Sequence, residues 1–154
     1  VAQHRIHKVL YFPMLHIREA SPSDSLALST LSTQLGYPVT PELMHTRLTH
    51  APDSNRALFV AEQGNQVLAA LEIAIMFAWE SGDWAEIRGL VVLDTARSQG
   101  IGAALVEHAK QWTRERGHAK LRVRTNETRT RTHQFYERLG FTKTKSQRVY
   151  DIAL

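Results

Sequence analysis

The 154-residue chain contains no cysteine. Its absence excludes a disulfide framework, a thiol nucleophile and a thiolate metal site; it does not separate one compartment from another, and the cytoplasm stands as the default expectation. There is no apolar run near 18 residues, and Val9-Leu10-Tyr11-Phe12 is too short to cross a bilayer, so no membrane partner is expected. The eight histidines are scattered, with no His-Glu-x-x-His and no carboxylate cluster at ligand spacing, so no metal is expected. Acidic charge is the scarcer sign: 15 Asp and Glu against 19 Lys and Arg leave a formal charge of +4. That balance suits a polyanionic partner, either nucleic acid or a phosphorylated cofactor.

What is present reads as one domain over 14–154, preceded by a leader over 1–13 that shows no periodicity. Leu15 and Ile17 alternate with His16 and Arg18 as a half-buried strand does. Leu26, Leu28, Leu31 and Leu35 recur at helical spacing behind Ser23 or Asp24, and Gly36 stops the run; Thr40-Pro41 opens a second helix. The apolar stretches Ala57–Ala61 and Val67–Phe77, parted by Gly64-Asn65, predict a hairpin, and Ala85–Leu93 predicts another strand. Ile101 to Arg116 carries apolar or small residues at 101, 104, 105, 109 and 112 and ends at Gly117, the clearest helix in the chain. Leu121 and Val123 predict a strand, Thr132–Leu139 a short helix, and Phe141–Leu154 a final hairpin around Ser146-Gln147. The class expected is α/β, a mixed sheet with helices on both faces.

The informative junction is Leu90-Val91-Val92-Leu93-Asp94-Thr95-Ala96-Arg97-Ser98-Gln99-Gly100-Ile101-Gly102-Ala103, where a hydrophobic strand becomes an amphipathic helix through a polar, glycine-bearing loop. N–H groups at a helix start lack intrahelical acceptors, and the helix dipole adds to their pull on an anion. Arg97 supplies a charged, forked donor suited to a pyrophosphate. Gly100 and Gly102 would let a ligand approach the backbone, or would let the helix pack tightly on its strand. A dinucleotide fold would want a third glycine and an acidic residue at the end of the next strand, and a nucleotide-hydrolase loop would want Gly-Lys-Ser or Gly-Lys-Thr. The chain has neither.

Arg97-x-x-Gly100-x-Gly102-Ala103 between a strand and a helix, followed by Phe135-Tyr136-Glu137-Arg138-Leu139-Gly140-Phe141, resembles the GCN5-related N-acetyltransferase (GNAT) superfamily. The resemblance runs from about Met14 to Leu154 and includes Gln34-Leu35-Gly36-Tyr37-Pro38, as in small bacterial members. It implies a mostly antiparallel, twisted sheet whose two parallel strands splay apart, with acetyl-coenzyme A as cosubstrate. By that resemblance the main chain of Leu90, Val91 and Val92 binds the pantetheine arm, and Arg97, Ser98, Gln99, Gly100, Ile101, Gly102 and Ala103 hold the phosphates. Asn126 and His133 would face the arm or the phosphates; read from the residues alone, Asn126 caps a turn and His133 is a helix residue.

Transfer to an amine needs a neutral nitrogen, stabilisation of the tetrahedral oxyanion and a proton for the departing thiolate. Tyr136 stands where the family places the tyrosine that donates to the sulfur, and with a reference pKa of about 10 its phenol is the expected general acid. For the base, Glu86 is the candidate, with Asp83 or an ordered water as alternatives; strand alternation puts Glu86 on one face with Arg88, Leu90 and Val92. Many similar proteins carry an acid further along this strand, where this chain has Arg88 and Gly89. The resemblance implies an amine acceptor, small molecule or peptide, bound by the first two helices and the loop from Trp79 to Trp84. It also leaves room for a homodimer through the sheet edge or the C-terminal strands. A catalytically silent coenzyme A-binding module is the alternative within the same fold. The arginines of the last third come with no helix-turn-helix or aromatic RNA-binding signature, so no nucleic-acid partner is expected.

Overall fold

Five strands lie in the order β1-β2-β3-β4-β5: β1 His16–Glu19, β2 Arg56–Gln63, β3 Gln66–Met76, β4 Trp84–Val92 and β5 Leu121–Val123. The first four are antiparallel to their neighbours, while β5 runs parallel to β4. The computed structural model describes residues 13–50 and 53–154, so the leader expected over 1–13 falls, apart from Pro13, outside the described residues.

Local chemistry sets the boundaries. Gly64 and Asn65 turn β2 into β3 with φ of 56° and 64°, the left-handed pair a two-residue hairpin demands. Helix α1 (Ser25–Leu35) ends at Gly36, φ 105°, and α2 (Pro41–Thr49) starts under a Thr40 hydroxyl that accepts from the Leu43 N–H at 3.2 Å. Asp24 is the N-cap residue of α1, but its carboxylate turns back. It accepts from the Ser21 N–H at 2.8 Å and takes both ends of the Arg18 guanidinium at 2.8 and 2.9 Å. Arg18 also reaches Glu62 at 3.0 Å, tying β1, β2 and the start of α1 together. Arg18 holds the Asp24 carboxyl below the usual carboxylate range, with the Ser21 N–H assisting and burial opposing.

The sheet is covered on both faces. Helix α3 (Ile101–Glu115) buries Ile101, Leu105, Ala109 and Trp112 against Phe59, Leu71, Ile73 and Ile87. On the opposite face Leu28 and Leu31 of α1 pack on Val60, Val67 and Ala70. Burying one such leucine contributes about 1.5–3 kcal/mol, so the two clusters are the principal apolar stabilisation. Helix α4 (Thr130–Arg138) brings Tyr136 into the α3-side cluster.

The expected final hairpin does not form: residues 141–154 contain no strand. A hairpin needs a residue able to reverse the chain, and Thr142 to Arg148 offers no glycine, proline or asparagine. The segment leaves the fold after Phe141 and runs past the loop that follows β5, where the Ser146 hydroxyl donates to Glu127 at 2.7 Å. Beyond that point Val149, Tyr150, Ile152 and Leu154 are all exposed.

Candidate active site

Strand β4 is the axis of the site. Glu72 of β3 pairs with Gly89 and Ile73 pairs with Ile87, so Arg88 is an extra residue, a β-bulge. The bulge shifts the alternation by one. Ala85 and Ile87 face α3, and beyond the bulge Leu90 and Val92 also face α3, whereas Val91 faces α1. Glu86 therefore does not share a face with Leu90 and Val92, as unbroken alternation requires. The bulge also marks where β5 leaves: β4 pairs with β5 only from Ala85–Leu121 to Ile87–Val123. From Arg88 onward that edge of β4 is unpaired among the described strands, and the main chain of Leu90, Val91 and Val92 borders the gap. One group there is taken: the Val92 carbonyl accepts from Gln34 Nε2 at 2.7 Å, while Gln34 Oε1 accepts from the Asp94 N–H at 3.0 Å.

Past Val92 the chain makes a 3-10 turn over Asp94–Ala96 and enters α3 through Arg97 to Gly100. Ser98 and Gly100 are left-handed, with φ of 61° and 79°, which lets the helix start abruptly. The helical ladder begins with the Ala104 N–H on the Gly100 carbonyl at 3.0 Å, leaving the N–H groups of Ile101, Gly102 and Ala103 without intrahelical acceptors. The two glycines have different causes. A Cβ at Gly100 would meet nothing within 4 Å, so its backbone angle decides; a Cβ at Gly102 would lie 3.3 Å from Phe135 Cζ and 3.6 Å from Val92 Cγ2, so packing decides. Gln99 and Ser98 are exposed. Arg97 pairs with Asp94 at 2.7 Å, both more than half exposed, a contact worth under about 1 kcal/mol that an incoming anion can displace.

Across the gap, α4 presents Tyr136. Its ring packs edge-on against Phe135 and Phe141, with centroids 5.0 and 5.3 Å away. Burial pushes its phenol up to about 12, so the hydroxyl is protonated throughout the neutral range. Tyr136, Asn126 and Arg88 line a cleft of about 240 Å³ between the β4 and β5 ends. Asn126 and His133 come together: the Asn126 carbonyl contacts His133 Nε2 at 2.9 Å, and its side chain accepts from the Thr128 N–H at 3.1 Å. Asn126 thus caps a turn and lines the cleft as well.

Glu86, the expected base, is 1% exposed and lines neither the cleft nor the larger cavity. Trp84 Nε1 donates to it at 3.0 Å, Arg88 at 2.8 Å, and Arg124 Nε lies 3.2 Å away. Its oxygens face these three groups and neither open space. Three acids, Glu19, Asp53 and Glu72, line a cavity of about 1020 Å³ beneath α1 and α2; Glu72 is the one paired in register with Gly89, where the cavity meets the cleft, and it pairs with Arg56 at 2.9 Å. Glu72 is the single charged residue in the apolar run Gln66–Met76, a signal in the sequence that could have found it. This cavity and the cleft share Leu35, Gly89 and Leu90, so they meet at the bulge. Helices α1 and α2, expected to bound the acceptor pocket, line the larger cavity, whereas the loop from Trp79 to Trp84 lines neither space. Among the described residues no group of three or more His, Asp or Glu could hold a metal ion, and no helix is long and apolar enough to cross a membrane.

Comparison with known proteins follows this geometry. The acetyltransferase (GNAT) family model matches residues 25–141. An aminoalkylphosphonate N-acetyltransferase of Salmonella typhimurium is 27% identical over 135 residues, covering 84% of this chain and 86% of the relative. Among solved structures, the aminoglycoside N-acetyltransferase AAC(6')-Iy in complex with CoA superposes with a TM-score of 0.84 at 17% identity, covering 95% of this chain and 99% of that one. The aminoglycoside 6'-N-acetyltransferase AAC(6')-Ih of Acinetobacter baumannii superposes at 0.79 with 20% identity, covering 92% and 99%.

Proposed function

Because the chain belongs to the acetyltransferase (GNAT) family, we propose that it transfers the acetyl group of acetyl-coenzyme A directly to the amine of a small molecule. The observation that carries this reading is the meeting of two spaces at Gly89 and Leu90: one is walled by Tyr136, the other by Glu72. Relatives named for aminoalkylphosphonate and aminoglycoside acetylation, and a neighbour bound to CoA, support the same substrate pair.

The phosphates sit against the N–H groups of Ile101, Gly102 and Ala103, and Arg97 exchanges Asp94 for the pyrophosphate. The pantetheine arm lies along the unpaired edge of β4 beside Leu90, Val91 and Val92, with its thioester end towards Gly89. The acceptor enters from the larger cavity and its ammonium docks on Glu72, which passes the proton to solvent. The neutral nitrogen attacks the thioester carbonyl carbon and the C–N bond forms; the nitrogen then gives its next proton to solvent as the C–S bond breaks, and the sulfur leaves as a thiolate under a hydrogen bond from the Tyr136 hydroxyl and takes up a proton from solvent. The products are the N-acetyl amine and coenzyme A thiol. Asn126 and His133 order the wall opposite β4.

We take the working unit to be a homodimer. Tyr150, Ile152 and Leu154 occupy alternate positions and are exposed, giving one apolar face to an arm that packs on no described residue of its own chain, while among the described strands the outer edge of β5 is unpaired. Two copies can satisfy each other reciprocally, arm on edge, in a closed pair.

The test of the activity is thiol release from acetyl-coenzyme A over a panel of amines. Acceptor-dependent release supports transfer; tight binding of acetyl-coenzyme A with no release over any acceptor would leave a silent binding module.

A further inference from the structure

Arg88 and Arg124 take no part in the transfer chemistry, yet both stand in the cleft wall beside Tyr136. One carboxylate holds them: both guanidinium groups converge on Oε1 of Glu86, at 2.8 and 3.2 Å. A carboxylate buried to 1% exposure is costly unless closely matched, and here it is matched twice over. The excess is positive, and Arg129 in the same wall adds to it. The two arginine side chains remain 45% and 54% exposed, and among the described residues most of their N–H donors are still free to bind. The arrangement is a pair of forked donors fixed in place from beneath and opening into the site.

The phosphates of coenzyme A are not what this pair serves. Arg88 lies on the far side of Gly89 and Leu90 from the phosphate loop, and the strand from Arg88 to Val92 alone spans about 13 Å at roughly 3.3 Å per residue. Arg88 is instead next to Gly89, which pairs with Glu72, so anion donors and an ammonium acceptor flank the point where the two spaces meet.

We infer that Arg88 and Arg124 form a subsite for an oxyanion carried by the acceptor, so that the substrate is an amine bearing its own carboxylate or phosphonate on a short linker. Guanidinium forks bind either group bidentately, whereas a polyamine would bring positive charge against three arginines. The inference rests on the acetyl-transfer reading for its chemistry, but the subsite can be examined without turnover.

The experiment compares thiol release with acceptors that share an aminoethyl chain: ethylamine, ethylenediamine, β-alanine and 2-aminoethylphosphonate. The expected kcat/KM for the better of the two anion-bearing acceptors is at least about tenfold above ethylamine, since polar groups built to pair reject an analogue that cannot pair them. Arg88→Gln and Arg124→Gln should each remove most of that preference by raising the acceptor KM, while ethylamine turnover and the KM for acetyl-coenzyme A stay within about twofold. Arg88→Lys, which keeps the charge but not the fork, should retain part of it, and thermal midpoints establish that each variant is folded. Comparison of β-alanine with 2-aminoethylphosphonate separates carboxylate from phosphonate. Equal or better turnover with ethylamine or ethylenediamine overturns the inference, as does an equal loss for charged and neutral acceptors in the variants. If no acceptor releases thiol, calorimetric titration of the coenzyme A complex with each anion-bearing amine decides. Saturable binding that is lost in Arg124→Gln upholds the subsite while the transfer reading falls, and no binding of either overturns the subsite.

Discussion

Replacement of Tyr136 by phenylalanine removes one hydroxyl and leaves the ring packing on Phe135 and Phe141 in place. The phenol is pushed up to about 12 by burial. An alkyl thiol has a reference value near 8.5, so full proton transfer from phenol to thiolate would run uphill by about 3.5 units, or roughly 5 kcal/mol. In the proposed reaction Tyr136 would therefore act as a hydrogen-bond donor to the departing sulfur in place of the expected general acid, and the proton that finally neutralises the thiolate would come from solvent. A hydrogen bond to a charged partner contributes about 1.5–3 kcal/mol, which corresponds to a fall in kcat of roughly 10- to 150-fold in Tyr136→Phe. The KM for acetyl-coenzyme A should change by less than about twofold, because the phosphate loop is untouched. Steady-state thiol release from pH 6 to 10 supplies the second readout. The donor is lost only as pH rises through about 12, so the wild-type profile has no descending limb from this residue in that range. The hydroxyl has no protein acceptor among the described residues, so the variant's thermal midpoint should be no lower than that of the wild type. A kcat for Tyr136→Phe equal to that of the wild type would refute the role.

Three further outcomes are expected. Arg97→Ala should raise the KM for acetyl-coenzyme A about tenfold with little change in kcat at saturation, and the raised KM should depend less on salt than the wild-type value does. Arg18→Ala strands Asp24, which is 6% exposed, and should destabilise the fold by roughly 2–4 kcal/mol at pH 7 in urea denaturation. Because the folded Asp24 carboxyl lies below its unfolded value, the stability it contributes is present above about pH 4 and lost as pH falls through the folded value; in Arg18→Ala this acid-dependent loss should shrink. Ile152→Glu places a charge on the apolar face of the C-terminal arm and should convert a dimer to a monomer in sedimentation velocity at micromolar protein; a wild-type monomer would dispose of the dimer itself.

Elements whose cause is local were legible in the sequence. Gly64-Asn65, Gly36 and Thr40-Pro41 each carry their backbone requirement in one or two residues, and α3 shows its buried stripe directly. The bulge at Arg88 was not legible, because the extra residue exists only relative to β3, and every inference from alternation along β4 inherited that blind spot. The face that alternation gave Glu86 in common with Leu90 and Val92 was lost for this reason, while its contacts with Arg88 and Arg124 are tertiary and carry no signal in sequence spacing. The alternation Tyr150, Ile152, Leu154 is a strand pattern in sequence, yet a strand exists only where a partner supplies the ladder, and no described segment of the same chain does so. Glu72 was hidden by its apolar neighbours, although its isolation among them was the available clue.

The missing side chain at Gly102 sets a dimension. Phe135 rests against the place where a Cβ would be, so α3 and α4, the helix that carries Tyr136, are spaced by a contact with bare backbone. On the proposed placement of the cofactor, the distance from the phosphate loop to Tyr136 would be set by how closely one helix stacks on the other. Enlarging residue 102 would therefore misplace both ends of the cofactor together, an error in calibre that neither Arg97 nor Tyr136 could correct alone.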